Sequence, residues 1–381
     1  MNVRPYEEAL MTYDNFRLHK QLQLYVPPVL LLLGSVGNVL SLVILTRPAM
    51  RKYSAYVYLA VLAAADTLVL YVGLMRLWLG QLTGHDLLDA SDWTCRLVTV
   101  VAYTVSDYSG WLIIAVTLER YVAVCHPLAT SMGGSQRAKT LATLGGLLAV
   151  LTAVNVHFLW TVRVVDTEYG NSTISTCAGA DYEVLVAEVW PWVDAAIYSF
   201  VPFLVIIVLN TLIIRQVIRS RRERVRLLVN TSGSRFSLDA GERRTCVENS
   251  RITVMLLTVS FVFLSLTMPV NVTMIAAKLH PRVAVDVGVM VNLRLLQTMA
   301  ELLMYSNHSI NFLLYCAIGQ KFRQNLFRLC SCRQRSRRAH NVDSNMYPLM
   351  RATSCRKDTA VVTESLGLGS NTRRSTCTHR V

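Results

Sequence analysis

The chain has 381 residues, 53% of them hydrophobic and only 16% charged, against about 25% charged for an ordinary soluble domain. Mean hydropathy is +0.38, and the apolar residues fall in long blocks instead of short amphipathic repeats, which excludes a string of water-soluble domains and points to a membrane protein. The net charge of +14 does not imply a nucleic-acid partner, because Arg and Lys cluster between the apolar blocks and in the tail, a pattern of membrane topology.

A bilayer is crossed by about 20 apolar residues, and seven windows qualify. They are Leu24–Thr46, Ala55–Trp78, Cys95–Cys125, Leu141–Trp160, Val193–Ile218, Ile252–Ala277 and Val285–Ile318, the last interrupted by Arg294, Glu301 and His308. The expected fold is an all-α membrane protein, a seven-transmembrane helix bundle with a short amphipathic eighth helix. Residues 1–23 read as an N-terminal tail, 24–318 as the membrane domain, 319–332 as the eighth helix and 333–381 as a disordered tail. With no apolar stretch before Leu24, the first span is expected to act as the insertion signal.

Positive residues are retained on the cytoplasmic side. The first connection carries Arg47, Arg51 and Lys52, the third Arg137 and Lys139, and the fifth a run from Arg219 to Arg244. The alternate connections are acidic, with Asp86, Asp89 and Asp92 in one and Asp166, Glu168 and Asp181 in another. This predicts the N-terminus outside and the C-terminus inside. On that topology Cys95 and Cys177 both face an oxidising compartment, where a disulfide is permitted. The sequon at Asn171 lies in an outer loop, a candidate glycosylation site. Cys330 and Cys332 follow a segment with Phe322, Leu326 and Phe327 on one side and Lys321, Arg323 and Arg328 on the other. This pattern suits an interfacial helix anchored by palmitoylated cysteines.

Asp66 lies mid-span, where an ionised carboxylate costs about 2.5–3.5 kcal/mol on insertion scales, so it needs partners within the bundle. Ser109, Asn307 and Asn311 are candidates, and the four together could hold a hydrated monovalent cation or a proton, or form a purely structural cluster. Arg120, between Glu119 and Tyr121 at the inner end of the third span, falls within about 20° of Ser109 around the helix. It therefore faces inward, poised to change partners.

Taken in order, Gly37-Asn38, Leu59 with Asp66, Cys95, Glu119-Arg120-Tyr121, Pro202, Phe263 with Pro269, and Asn311-Phe312-Leu313-Leu314-Tyr315 followed by Phe322 resemble the rhodopsin-like (class A) G-protein-coupled receptors. The resemblance implies an outer ligand that rotates the sixth helix, with Arg120 and Tyr315 rearranging to admit a heterotrimeric G protein. It makes Glu119, Arg120, Tyr121, Phe263, Pro269 and Tyr315 the switch, and Asp66, Ser109, Asn307 and Asn311 a sodium pocket. Apart from that Na+ no cofactor is expected. Two departures stand out. Thr267 replaces the family's sixth-helix tryptophan, and Phe312 replaces a proline, which predicts a weaker kink.

Ala102 stands where amine receptors carry an aspartate, and Tyr305 where opsins carry the retinal lysine. The stretch Ser306 to Cys316 looks most like the neuropeptide receptors, FMRFamide-type among them. An extracellular peptide is the expected ligand, with Glu301 or Asp107 meeting its cation and Tyr103 and Tyr305 as aromatic walls. Arg76, an ionisable group in an apolar span, is a further candidate ligand contact, and the competing arrangement is an internal Arg76–Glu301 ion pair that never touches the ligand. Val124, Pro127 and Leu128 offer an apolar knob to a G protein, and the basic run attracts membrane lipid. Tail residues Ser370, Thr372, Ser375, Thr376 and Thr378 suit receptor kinases and arrestin. A lipid or other small-molecule agonist is the alternative. A transporter or channel is more distant, since no internal repeat is evident. Eight scattered histidines without metal spacing argue against an enzyme.

Overall fold

The computed structural model describes residues 10–126, 135–169, 172–230, 240–279 and 287–329. Among these, seven helices are long and apolar enough to cross a membrane. They are α1 (Asp14–Leu45), α2 (Ser54–Thr83), α3 (Asp92–Cys125), α4 (Gln136–Thr161), α5 (Val184–Ser220, helical on to Asn230), α6 (Ala240–Leu279) and α7 (Val287–Ile318). After a break at Gly319, residues 320–329 form α8.

Helix ends depart from the hydropathy windows. Helix α1 starts at Asp14, not Leu24, and α5 at Val184, not Val193, because apolarity reports the thickness of lipid crossed and not where backbone hydrogen bonding stops. The added turns of α1 dock on α7. Asn15 donates to Asn292 at 2.6 Å, His19 and Thr298 are hydrogen-bonded at 2.6 Å, and Phe16 packs with Val291.

Proline positions explain two unusual contacts. Pro28 lies inside α1 and has no N–H for the Leu24 carbonyl one turn back. The Trp78 indole of α2 donates to that carbonyl instead, at 2.9 Å. Around Ala195–Phe200 helix α5 widens into a π-type turn, and Pro202, five residues after Ile197, again offers no N–H. Trp111 of α3 donates to Ile197 at 3.0 Å.

Helix α3 is the hub, packed on α2, α4, α5 and α6, while α7 packs on α1 and α6. The main core gathers Leu59, Leu62, Leu112, Ile113, Met255, Phe263 and Tyr315. Helices α1 and α7 approach closely at small residues, as membrane helices do. A Cβ on Gly37 would lie 2.9 Å from that of Phe312, and one on Gly34 would lie 3.3 Å from the Ser309 Cα. Leu32, Leu141 and Leu204, each more than 60% exposed, give the bundle an apolar exterior suited to lipid.

Between α4 and α5, a connection that composition marks only as acidic folds into an antiparallel hairpin, β1 (Arg163–Tyr169) with β2 (Ser172–Ala178). Acids at and just before the start of α3 fasten it. Asp92 accepts from the Val164 N–H and Asp89 from the Cys177 N–H, each at 2.8 Å. On α8, Lys321 donates to the Tyr53 hydroxyl at 2.9 Å and lies 4.3 Å from its ring centre. Burial, then the Lys52 charge, lower the pKa of this ammonium.

Candidate functional site

At the hairpin end, Cys95 at the start of α3 and Cys177 on β2 form the disulfide, with Cα atoms 5.6 Å apart. Beside it Tyr103 stacks on Phe158 at 4.7 Å and meets Trp190 edge-on. Tyr305 belongs to a different apolar cluster with Leu30, Leu70, Leu74 and Val105. Its hydroxyl lies where a Cβ on Gly73 would come within 2.7 Å. The two expected aromatic walls thus pack in different apolar clusters.

Among the described residues the competing ion pair does not form. Arg76 does not pair with Glu301. Its guanidinium donates to both oxygens of Asp86, at 2.9 and 2.7 Å, because Gly84 takes a left-handed conformation (φ 75°) after α2 and turns the chain back. Glu301 stays half-buried, with no ion pair among the described residues. Asp107 turns toward α4, where its Oδ2 accepts from Asn155 at 2.9 Å, and both residues are buried. Its Oδ1 has no partner among the described residues. Asp194 on α5, which hydropathy does not single out, lies near enough for the two charges to interact.

Mid-bundle, Asp66 is fully buried and receives three hydrogen bonds. Ser109 donates to Oδ1 at 2.7 Å, His308 Nδ1 meets the same oxygen at 2.7 Å, and Asn311 donates to Oδ2 at 2.6 Å. Two of the three expected partners are thus present. Asn307 is buried on α7 but is not among the groups bonded to Asp66, and His308 takes its place. The sequence shows His308 only as a third member of the Glu301 and Tyr305 face. Helix α1 supports this point, since Asn38 donates to the His308 carbonyl at 3.0 Å.

At the opposite end, Arg120 is 5% exposed and donates twice to Glu119, Nε to Oε2 and Nη2 to Oε1, each at 2.8 Å. Ser54 of α2 also donates to Glu119, a partner that no motif announces. Tyr121 lies edge-on to His126. Phe263 is buried against Phe203, ring centres 6.0 Å apart, and the Thr267 hydroxyl donates to the Phe263 carbonyl at 2.6 Å, two residues before Pro269. Tyr315 is fully buried with no hydroxyl partner among the described residues, and its ring meets Phe322 of α8 at 5.6 Å. Val124 is half-buried. Pro127, Leu128, Asn171, Cys330, Cys332 and the tail hydroxyls lie outside the described residues.

A family model described as 7 transmembrane receptor (rhodopsin family) matches residues 37–315, a stretch that holds the disulfide, the Asp66 cluster and the Arg120 pair. The chain is 29% identical over 314 residues to the FMRFamide receptor of Drosophila melanogaster, covering 77% of this chain and 50% of that receptor. It is 24% identical over 323 residues to the thyrotropin-releasing hormone receptor of Mus musculus, covering 80% and 77%. Over 132 residues it is 35% identical to the B1 bradykinin receptor of Canis lupus familiaris, covering 33% and 37%. The chain spans about half the length of the first of these relatives. Seven membrane-crossing helices and this match make it a multi-pass membrane protein and not an enzyme. The chain belongs to the rhodopsin family of seven-transmembrane receptors.

Proposed function

We propose that this receptor sits in the plasma membrane with its N-terminus outside, binds an extracellular neuropeptide at the hairpin end, and activates a heterotrimeric G protein at the Arg120 end. The carrying observation is Glu301, a half-buried carboxylate with no ion pair among the described residues, one turn from Tyr305. An ionisable group held in a membrane span calls for a partner. Arg76 is already engaged by Asp86, so a cation on the ligand is the natural one. The relatives' names support a peptide, FMRFamide among them. At the other end, release of Arg120 from Glu119 opens the face that Val124 borders, with Pro127 and Leu128 completing the apolar knob. Glycosylation at Asn171, acylation at Cys330 and Cys332, and tail phosphorylation followed by arrestin binding belong to the same reading.

The test is expression in cultured cells, with calcium, cyclic AMP and arrestin recruitment recorded against a panel of amidated peptides beside an Arg120→Ala variant. A saturable response, lost in the variant at equal surface expression, supports the proposal. Glu301→Lys should then lower the potency of a basic peptide by about tenfold or more, equivalent to about 1.4 kcal/mol. Unchanged potency would remove Glu301 from the site and favour a neutral lipid or other small molecule.

A further inference from the structure

Family resemblance puts a sodium ion at Asp66, and the residues there do not fit one. A hard cation needs about six oxygen ligands, at about 2.3–2.6 Å in the case of calcium. Here every group that meets the carboxylate presents a hydrogen: the Ser109 hydroxyl, the His308 ring and the Asn311 amide. Serine can turn a lone pair toward an ion, and an asparagine amide can turn its oxygen. Histidine has no oxygen to offer. With Nδ1 at 2.7 Å from Oδ1, the ring already occupies the side of that oxygen an ion would need. A tautomer without hydrogen on Nδ1 would set a lone pair against the carboxylate, so Nδ1 donates. The ring is 1% exposed and Asp66 is fully buried, and the backbone behind His308 is held by Asn38.

We infer that His308 takes the cation's place at Asp66, tying α7 to α2 through an internal hydrogen bond, and that this receptor is therefore indifferent to sodium. The inference does not depend on what the ligand is, and its test uses none.

The full-length receptor is purified in detergent and its thermal unfolding followed while sodium chloride replaces N-methyl-D-glucamine chloride at constant ionic strength. The wild-type Tm should not change. His308→Ser, which offers a hydroxyl and room, should gain a saturable rise in Tm with sodium, and adding Asp66→Asn to that variant should abolish it. His308→Ala serves as a second variant should the serine form fold poorly, and sodium-23 line broadening on the wild type gives a reading that needs no variant. A saturable sodium-dependent rise in the wild-type Tm, lost in Asp66→Asn, would overturn the inference. So would His308→Ser and His308→Ala proteins that fold and remain as indifferent as the wild type, since something other than the histidine would then be keeping the ion out.

Discussion

On the proposed function, the Glu119–Arg120 pair sets how firmly the resting state is held. Two charge-assisted hydrogen bonds join the side chains, and both are largely shielded, at 14% and 6% exposure. Bonds to charged groups contribute about 1.5–3 kcal/mol each, so Glu119→Gln should raise agonist-free signalling by about tenfold or more, read as basal cyclic AMP or calcium normalised to surface receptor. Ser54→Ala, which leaves the pair intact, should raise it less. Asp107 yields a second prediction. Asn155→Leu removes its donor and strands a buried carboxylate, at a cost of about 1–3 kcal/mol, visible as a lower Tm. Adding Asp107→Leu should recover part of that loss, since a hydrophobic replacement of both partners restores a matched pair. At this scale Asp66 is legible in the sequence because a carboxylate in an apolar span stands out. Its partner His308 is not, because period-3.6 reasoning selects a face without saying which neighbouring helix that face meets. Arg76 illustrates the same limit, since its choice of Asp86 over Glu301 follows from the turn at Gly84.

Helices here are joined by close approach and by borrowed hydrogen bonds. Gly37 of α1 lies under Phe312 of α7, so Gly37→Leu has no room and should separate the two helices, costing about 1–3 kcal/mol as overpacking does. The expected readout is a lower Tm in detergent together with reduced surface expression, and Gly145→Leu on α4, where a Cβ meets nothing within 4 Å, is the control. Trp78→Phe tests the bond to α1. It keeps an aromatic ring and removes the donor to Leu24, so about 1 kcal/mol should be lost, and less still if water reaches the carbonyl. The seven elements are readable from hydropathy, while their ends are not. The extra turns of α1 are stabilised by Asn292, Thr298 and Val291, residues far away in sequence, and the hairpin depends on Asp89 before α3 and Asp92 in its first turn.

For the whole molecule, charge asymmetry between loops predicts the orientation. An epitope on the N-terminus should be stained in intact cells and one on the C-terminus only after permeabilisation, and the reverse pattern would overturn the assignment. The disulfide closes a separation of 82 residues and pins the hairpin over α3. Losing such a bridge typically costs about 2–5 kcal/mol, so Cys177→Ser should sharply reduce surface receptor while leaving synthesis unchanged.

Sequence alone determines the class of molecule, the number of spans, the expected sidedness and the motifs that mark the family, because these depend on local quantities: runs of apolar residues, loop charge and spacing along one helix. The tertiary structure decides which groups meet. Asp66 could have shared its charge with a cation, a proton or a neighbour, and the acid that Arg76 meets is not one that spacing along the helices picks out. Only the packing of α7 against α1 and α2 brings His308 to Asp66, and only the turn at Gly84 returns Asp86 to Arg76. The partners of a buried charge are set by distances between elements, and those distances are a property of the folded bundle.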